Sequence, residues 1–423
     1  MLALRFAYHG GQPAGLVGML ERPFYSTDPV LASDAVPLVI ATMLRPQGNT
    51  GVHTHFQQVL GYLAKDTDTT AELITPFDWG RPLYLPVYGA RRAIASVSGP
   101  AGVLWYRHWH ETFLRQALRR RLANAGDCVV YAQDPPSARA ALDARLGPGQ
   151  QVVMAVHFRT SQADEWANKG MIPRNGRAFW SMRQLDRDVI PRVDRLVYVS
   201  KWAERALTSW LPEATTTPSA VIGNFISPWT GTGGPAASEE YNGDLVTVGQ
   251  LEPVKNHRFL IRVLAEAKRA GRPLTLDVFG EGPLRAELER QSRDLGVHDQ
   301  VRFRGFRPNL RRFLPGYKAY VHSSYSESSS LAIMEAMDAG LPVIAGDIGP
   351  LAELFTDSVE GRFWPLADPA EAAAMLLDLV GDEPRRLKMA RAARKRFERD
   401  FDASVVGPQL RSFLLPDLAV SED

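Results

Sequence analysis

The chain has 423 residues, more than one ordinary hydrophobic core organises, so two domains are expected. Apolar residues make up 45% and charged residues 23%, the balance of a soluble globular protein. A net charge of +2 argues against a general nucleic-acid binder, and the single cysteine, Cys128, excludes an internal disulfide framework.

No apolar stretch approaches the roughly 18 residues that span a bilayer. The first ten residues, MLALRFAYHG, lack the apolar core of a signal peptide. A cytoplasmic enzyme is expected, with peripheral contact to the inner face of a membrane left open.

In chain order, residues 1–34 read as an extension packed on the first domain. Residues 36–43 (VPLVIATM) form a continuous apolar run, as in a strand buried on both faces. The loop RPQGNTG then leads into a predicted helix over 52–64, and Gly48 and Gly51 let backbone approach a ligand. Residues 71–75 read as a second strand. Residues 76–101 are rich in Pro, Gly, Tyr and Arg and show no clear period.

A helical stripe of Leu114, Leu118 and Leu122 follows. Within 105–121 it carries Arg115, Arg119, Arg120 and Arg121 beside Trp105 and Trp109. Two readings stand: a core-packed helix with a solvated basic face, or contact with an anionic membrane or a phosphate-bearing acceptor. Residues 128–132 and 152–156 read as strands. His157 follows the second of these, at the strand end where parallel sheets bind ligands; Asp134 holds a similar place after the first. Residues 196–200 read as a strand, 201–211 as a helix and 219–222 as a strand. Residues 228–240 (PWTGTGGPAASEE) have the composition of a linker.

The second half repeats the alternation. Strands are expected over 245–248, 274–279 and 301–304, with helices over 256–269, 369–380 and 383–400. The stretch 320–353 reads as strand, Ser-rich loop, helix, Gly-Leu-Pro break and strand, one βαβ unit. Glu327 lies in its loop and Glu335 in its helix, with seven residues between them. Glu335 stands among Ile333, Met334, Ala336 and Met337, where a carboxylate is costly unless something hydrogen-bonds it; ligand hydroxyls would. Two signals are set aside. The pairs His53/His55 and His108/His110 lack a completing cluster, so no metal is expected. Asp186-Arg187-Asp188 falls in a predicted helix, where residues two apart do not share a face, and reads as solvated surface.

The residues Glu327, Glu335-Ala336-Met337, Gly340, Pro342-Val343-Ile344-Ala345, Gly349 and Glu353 resemble the signature of the retaining glycosyltransferases of family 4. The resemblance covers most of the chain from residue 36 and is strongest over 245–353. It implies the GT-B fold: two facing Rossmann-like parallel-sheet α/β domains with an interdomain cleft. The acceptor-side domain is then 1–227, the linker 228–240 and the nucleotide-sugar-binding domain 241–400, with 401–423 crossing back to the first.

The resemblance also implies roles. Lys255 and Asn256 match a K-N pair whose Lys holds the donor diphosphate, and Gln250 stands where the family has Arg. Gly280 and Gly282 match G-x-G-P. Ser328, Ser329 and Ser330 replace a Gly-containing segment and, with Leu331, offer backbone N–H groups to phosphate. Glu335 would accept from ribose hydroxyls and Glu327 from the sugar. Gly51 and His55 match the loop beside sugar and acceptor, and His157 the position near the transferred sugar. Glu327, Lys255 and His157 form the expected catalytic set, with no cofactor and no metal. The partners implied are a nucleotide-sugar donor and a hydroxyl-bearing acceptor in glycan, polysaccharide or glycoconjugate biosynthesis. Two alternatives remain: a catalytically weak sugar-nucleotide-binding partner subunit, or another GT-B enzyme such as a sugar phosphorylase or epimerase.

Overall fold

The structure, a computed structural model, describes residues 37–48, 50–65, 69–79, 84–229 and 243–416. The proposed extension at 1–34 and nearly all of the proposed linker lie outside the described residues.

The first half runs β1 (Leu38–Ala41), α1 (Gly51–Leu63), β2 (Ala71–Ile74), α2 (Tyr84–Val97), α3 (Gly99–Leu122), β3 (Cys128–Ala132), α4 (Pro135–Leu142), β4 (Gln150–Val156), α5 (Gln162–Asn168), α6 (Arg177–Val189), β5 (Arg195–Tyr198), α7 (Lys201–Thr208) and β6 (Ser219–Val221). The strands pair in parallel in the order β2-β1-β3-β4-β5-β6. The continuous apolar runs LVIA and CVVYA are buried along their whole length, as strands covered by helices on both faces must be.

The second half runs β7 (Gly243–Val248), α8 (His257–Arg269), β8 (Leu276–Phe279), α9 (Arg285–Asp294), β9 (Val301–Gly305), β10 (Tyr317–His322), α10 (Leu331–Asp338), β11 (Val343–Gly346), β12 (Gly361–Trp364), α11 (Pro369–Gly381), α12 (Glu383–Asp400) and α13 (Ala403–Leu414). Its sheet is also parallel, in the order β12-β11-β10-β7-β8-β9.

Each sheet changes winding direction once, between β1 and β3 in the first and between β7 and β10 in the second. Crevices at the carboxyl ends of strands flanking such a switch are where open α/β sheets bind ligands. The topology therefore selects two pairs of loops: those after β1 and β3, and those after β7 and β10.

The last helix returns to the first half. Val406, Leu410 and Leu414 of α13 share a core with Leu38, Ile40 and Phe56, and Ala403 N–H donates to Ile226 O at 3.1 Å.

Two sequence expectations change and one pair of readings is narrowed. A helix, α2, lies within 76–101, where no period was legible. On α3, Leu114, Leu118 and Leu122 are fully buried, as in the core-packed reading, and the arginines, Arg119 and Arg120 still exposed, also make contacts within the protein. Arg115 pairs with Asp143 at 3.1 Å, Arg121 pairs with Glu72, and Arg120 lies 3.8 Å from the Trp79 ring centre. Arg119 donates to Asp143 O, and the Trp105 indole donates to Val87 O at 3.0 Å. Asp186 is not on a solvated surface: it is fully buried. Met182, Leu185, Asp186 and Val189 fall at helical spacing on the inward stripe of α6; of the Asp186-Arg187-Asp188 triplet, Arg187 and Asp188 face water. Burial pushes the Asp186 carboxyl up to about 7, against the pull of Arg107.

Candidate active site

The loop after β7 is shaped by the loop after β8. Gly249 N–H donates to Phe279 O and Leu251 N–H to Glu281 O. At Gly280, with φ of 142°, an added Cβ would lie 1.9 Å from Gly249 O; at Gly282 it would lie 2.6 Å from Leu251 O. Glycine is required at both positions because the two loops interlock. The interlocked loop presents Gln250, half-exposed, and a 3-10 turn (Pro253–Lys255). Asn256 follows in the left-handed region with φ of 53° and begins α8. Its Nδ2 is buried with no partner among the described residues.

Lys255 Nζ lies 2.6 Å from Glu327 Oε1, in the loop after β10. His322 Nε2 lies 3.0 Å from the same oxygen, and its Nδ1 is 3.3 Å from the Tyr320 hydroxyl. Ser323 and Ser324 hydroxyls donate to Lys255 O and Val254 O at 2.8 and 3.1 Å, tying the two loops together. Burial opposes ionisation of Glu327, but the Lys255 charge and the His322 hydrogen bond outweigh it and hold the carboxyl down to about 2.

Residues Ser328 to Ser330 lead into α10. Ser330 occupies the N-cap without a side-chain cap bond, and Ser329 Oγ is buried with no partner among the described residues. The first turn of any helix leaves N–H donors unpaired and carries partial positive charge, so this terminus suits an anion. Glu335 stands one turn further on, half-buried. Burial raises its carboxyl to about 7, with Arg311 pulling it down and Asp338 adding to the rise. No described residue hydrogen-bonds it. Asp338 serves the structure instead. It is buried against Arg311 and Arg394 and accepts from Trp229 N–H at 3.1 Å.

The facing wall comes from the first sheet. Thr50 caps α1, with its hydroxyl 2.6 Å from His53 Nδ1, while His53 Nε2 is 3.1 Å from Arg45 O. A Cβ at Gly48 would lie 2.3 Å from the His53 ring, whereas one at Gly51 would meet nothing within 4 Å. Thus Gly48 makes room for an imidazole and Gly51 faces open space. His55 is buried 3.3 Å from the Tyr131 hydroxyl, and its ring centre lies 4.5 Å from that of His157, edge to face. His157 Nε2 is 3.0 Å from Gln133 Oε1. Burial lowers His55 to about 4, and burial together with His55 holds His157 well below the usual imidazole value; both are neutral near pH 7. Asp134 caps α4 through Ser137 N–H at 2.8 Å, a structural duty.

Contacts bridge the walls. Glu353, from the short 3-10 segment after β11, accepts from Lys201 N–H at 2.9 Å and Trp202 N–H at 2.7 Å, at the start of α7. Ser200 Oγ donates to Ser328 O at 3.0 Å, and Lys169 lies 3.5 Å from Glu252. Arg159 Nη1 reaches Tyr325 O and Ser326 Oγ, both at 3.4 Å. Sequence reasoning singled out Glu353 only as part of a motif and missed Arg159, two residues past His157. The position at a strand's carboxyl end was the available clue for Arg159.

Two doubly wound parallel sheets with their switch-point loops facing across a cleft define the GT-B architecture. Among solved structures, the chain is similar to Anabaena Alr3699/HepE in complex with UDP and glucose, with a TM-score of 0.66 at 18% identity over 90% of this chain and 99% of that one. It is also similar to sucrose-phosphate synthase from Thermosynechococcus elongatus, with a TM-score of 0.71 at 16% identity over 92% and 100%. Residues 236–396 match the family described as glycosyl transferases group 1. Amylovoran biosynthesis glycosyltransferase AmsK of Erwinia amylovora is 28% identical over 178 residues, 40% of this chain and 44% of that protein. D-inositol 3-phosphate glycosyltransferase of Frankia alni is 33% identical over 165 residues, 36% and 40%. The chain thus spans less than half the length of these curated relatives.

Proposed function

We propose that this protein is a glycosyltransferase that moves a sugar from a nucleoside diphosphate to an acceptor hydroxyl in polysaccharide or glycoconjugate synthesis. The reading is supported by the match to glycosyl transferases group 1 over residues 236–396 and by one structural observation above all. At the start of α10, an ionised carboxylate locked to a lysine (Glu327) adjoins a helix terminus and a carboxyl with no protein partner among the described residues (Glu335).

On this reading Glu335 accepts from the ribose hydroxyls, and the first turn of α10 with Lys255 receives the diphosphate. Gln250, Asn256, Gly280 and Gly282 shape that pocket. Glu327 accepts from the sugar, with Gly48, Gly51, His55 and His157 on the opposite side. The bond from the anomeric carbon to the phosphate oxygen breaks, and its electron pair leaves with the diphosphate. Lys255 and the N–H groups stabilise the growing charge. The acceptor oxygen bonds to the anomeric carbon on the same face and the leaving phosphate takes its proton, so configuration is retained as in family 4. No metal or cofactor enters the scheme.

The test is hydrolysis and transfer with a panel of sugar nucleotides, followed by anomeric analysis of the product and by assay in chelator. Absence of turnover and of nucleotide binding across the panel would refute the reading. An inverted product, or loss of activity in chelator, would refute its mechanism. Gln250, where the family has Arg, favours one second reading, a donor-binding subunit with weak catalysis; binding without turnover would select it.

A further inference from the structure

A cavity of about 180 Å³ opens where α5 and the start of α7 meet the loop after β10; its lining includes Arg159, Asp164, Glu165, Arg174, Trp202 and Ser326. By volume it holds about six waters. Apart from Ser326, which immediately precedes Glu327, its lining belongs to the first half of the chain. It therefore adjoins the loop that carries Glu327.

The charges around it are unequal. Asp164 is neutralised: it accepts from Ser161 Oγ at 2.6 Å and from Arg174 and Arg183, both at 2.7 Å. Burial raises the Glu165 carboxyl to about 7, with Lys169 and the Arg159 backbone N–H opposing, so near neutral pH much of it keeps its proton. Arg159 is uncompensated. Its guanidinium lies 4.5 Å from the Trp202 ring centre and reaches two neutral acceptors at 3.4 Å, the outer limit of a hydrogen bond. It forms no ion pair among the described residues. A half-buried cation without an anion is costly to the protein alone. A guanidinium fork matches phosphate or carboxylate.

We infer that this cavity receives an anionic group, phosphate or carboxylate, carried by the acceptor, with Arg159 as its cation. The inference rests on the glycosyl-transfer reading above. Trp202 fixes the guanidinium plane, and the bonds from Lys201 and Trp202 to Glu353 fix Trp202. Glu353 of the second half thus helps to hold the Trp202 backbone on which Arg159 stacks.

The experiment is calorimetry on the full chain with glucose 6-phosphate, glucuronate and uncharged glucose, in the presence of the nucleoside diphosphate that binds best. Wild type is expected to bind at least one anionic probe tenfold or more tighter than glucose, and the preferred probe names the group. Arg159→Ala should remove that preference, and Arg159→Lys should keep part of it. Nucleoside diphosphate affinity should stay within twofold in both. Equal affinity for charged and neutral probes overturns the inference. So does weaker nucleoside diphosphate binding in Arg159→Ala, which would put Arg159 on the donor. Arg159→Lys, with melting temperature as its control, covers the case in which the alanine variant does not fold. Failure of the glycosyl-transfer reading shows differently, as wild type that binds no nucleoside diphosphate.

Discussion

On the second-sheet wall, Glu327 is buried and ionised, with Lys255 2.6 Å away and His322 at 3.0 Å. On the first-sheet wall, His55 is buried and His157 largely so, both neutral and packed on each other and on the Tyr131 hydroxyl and the Gln133 amide. Burial opposes charge on both walls; what differs is the partner. A cation and an imidazole outweigh burial for Glu327, while neutral dipoles do not for the histidines. Glu335 extends the comparison. It is a carboxyl on the charged wall with no cation in contact among the described residues, and its value rises to about 7 instead of falling. On the function proposed above, the diphosphate side holds its charges in place before the ligand arrives, while the histidine side of the facing wall holds dipoles and leaves charge to Arg159.

Removing the cation breaks the comparison most severely. Lys255→Ala leaves Glu327 buried beside an imidazole alone and withdraws the charge aimed at the leaving diphosphate. Turnover should fall on the order of a hundredfold or more, as when one electrostatic donor is lost. Initial rates across the sugar-nucleotide panel measure it, and activity within a few-fold of wild type would remove Lys255 from the mechanism.

Much of this division was legible in the sequence. Long apolar runs marked the central strands because both faces are covered. Glu335 stood out because carboxylates rarely sit among Ile, Met and Ala, and Glu327 because it lies in the Ser-rich loop with seven residues between the two. What stayed hidden was long-range. That Lys255 and Glu327, 72 positions apart, share a salt bridge depends on β7 and β10 being neighbours in the sheet. Asp186 looked solvated because two charged neighbours set the local pattern, while its own place on the inward stripe of α6 decided its burial. Helix α2 was illegible because its Pro, Gly, Tyr and Arg residues do not alternate with a helical period. Arg159 carried no motif; its meaning comes from Trp202 and Ser326, contributed by distant segments.

Glu335→Gln sharpens the contrast by separating stability from binding. Its folded-state value lies above the ordinary 4.5, so the fold opposes its ionisation. That contribution to stability is full below about 4.5 and is lost as pH rises through about 7. At pH 8 the wild type carries a penalty of up to about 3 kcal/mol, at about 1.4 kcal/mol per unit, which the amide avoids. The variant should melt higher than wild type at pH 8 and equally at pH 4. It should also bind the nucleoside diphosphate about tenfold more weakly at pH 8, because the carboxylate is the form that accepts from hydroxyls. Because His157 is already neutral, the wild-type loss of affinity below pH 7 should vanish in Glu335→Gln. Unchanged affinity at pH 8 would mean that Glu335 does not touch the ribose.

Glu353→Ala uncouples the walls. It removes two charge-assisted acceptor contacts at the start of α7, comparable to losing an N-cap, roughly 1 kcal/mol. A fall of about fivefold in kcat/KM is expected, with a larger radius of gyration in solution scattering. A wild-type scattering profile would show that Ser200, Lys169 and Arg159 join the walls without it.

Gln250→Arg carries the smallest expected effect and asks whether the charged wall is complete. Lys255 Nζ is engaged by Glu327 at 2.6 Å, so a diphosphate would have to share that cation. Gln250 lies half-exposed on the same loop, and the backbone there is fixed by the packing of Gly280 against Gly249. A longer side chain can therefore be tested without moving the loop. A guanidinium there would bind phosphate oxygens through two parallel hydrogen bonds, adding charge where the family has it. Nucleoside diphosphate affinity should tighten a few-fold by calorimetry, with an unchanged melting temperature and an initial rate at or above wild type. Weaker binding at an unchanged melting temperature would mean that Gln250 has a ligand contact of its own, and that this wall was rebuilt around an amide.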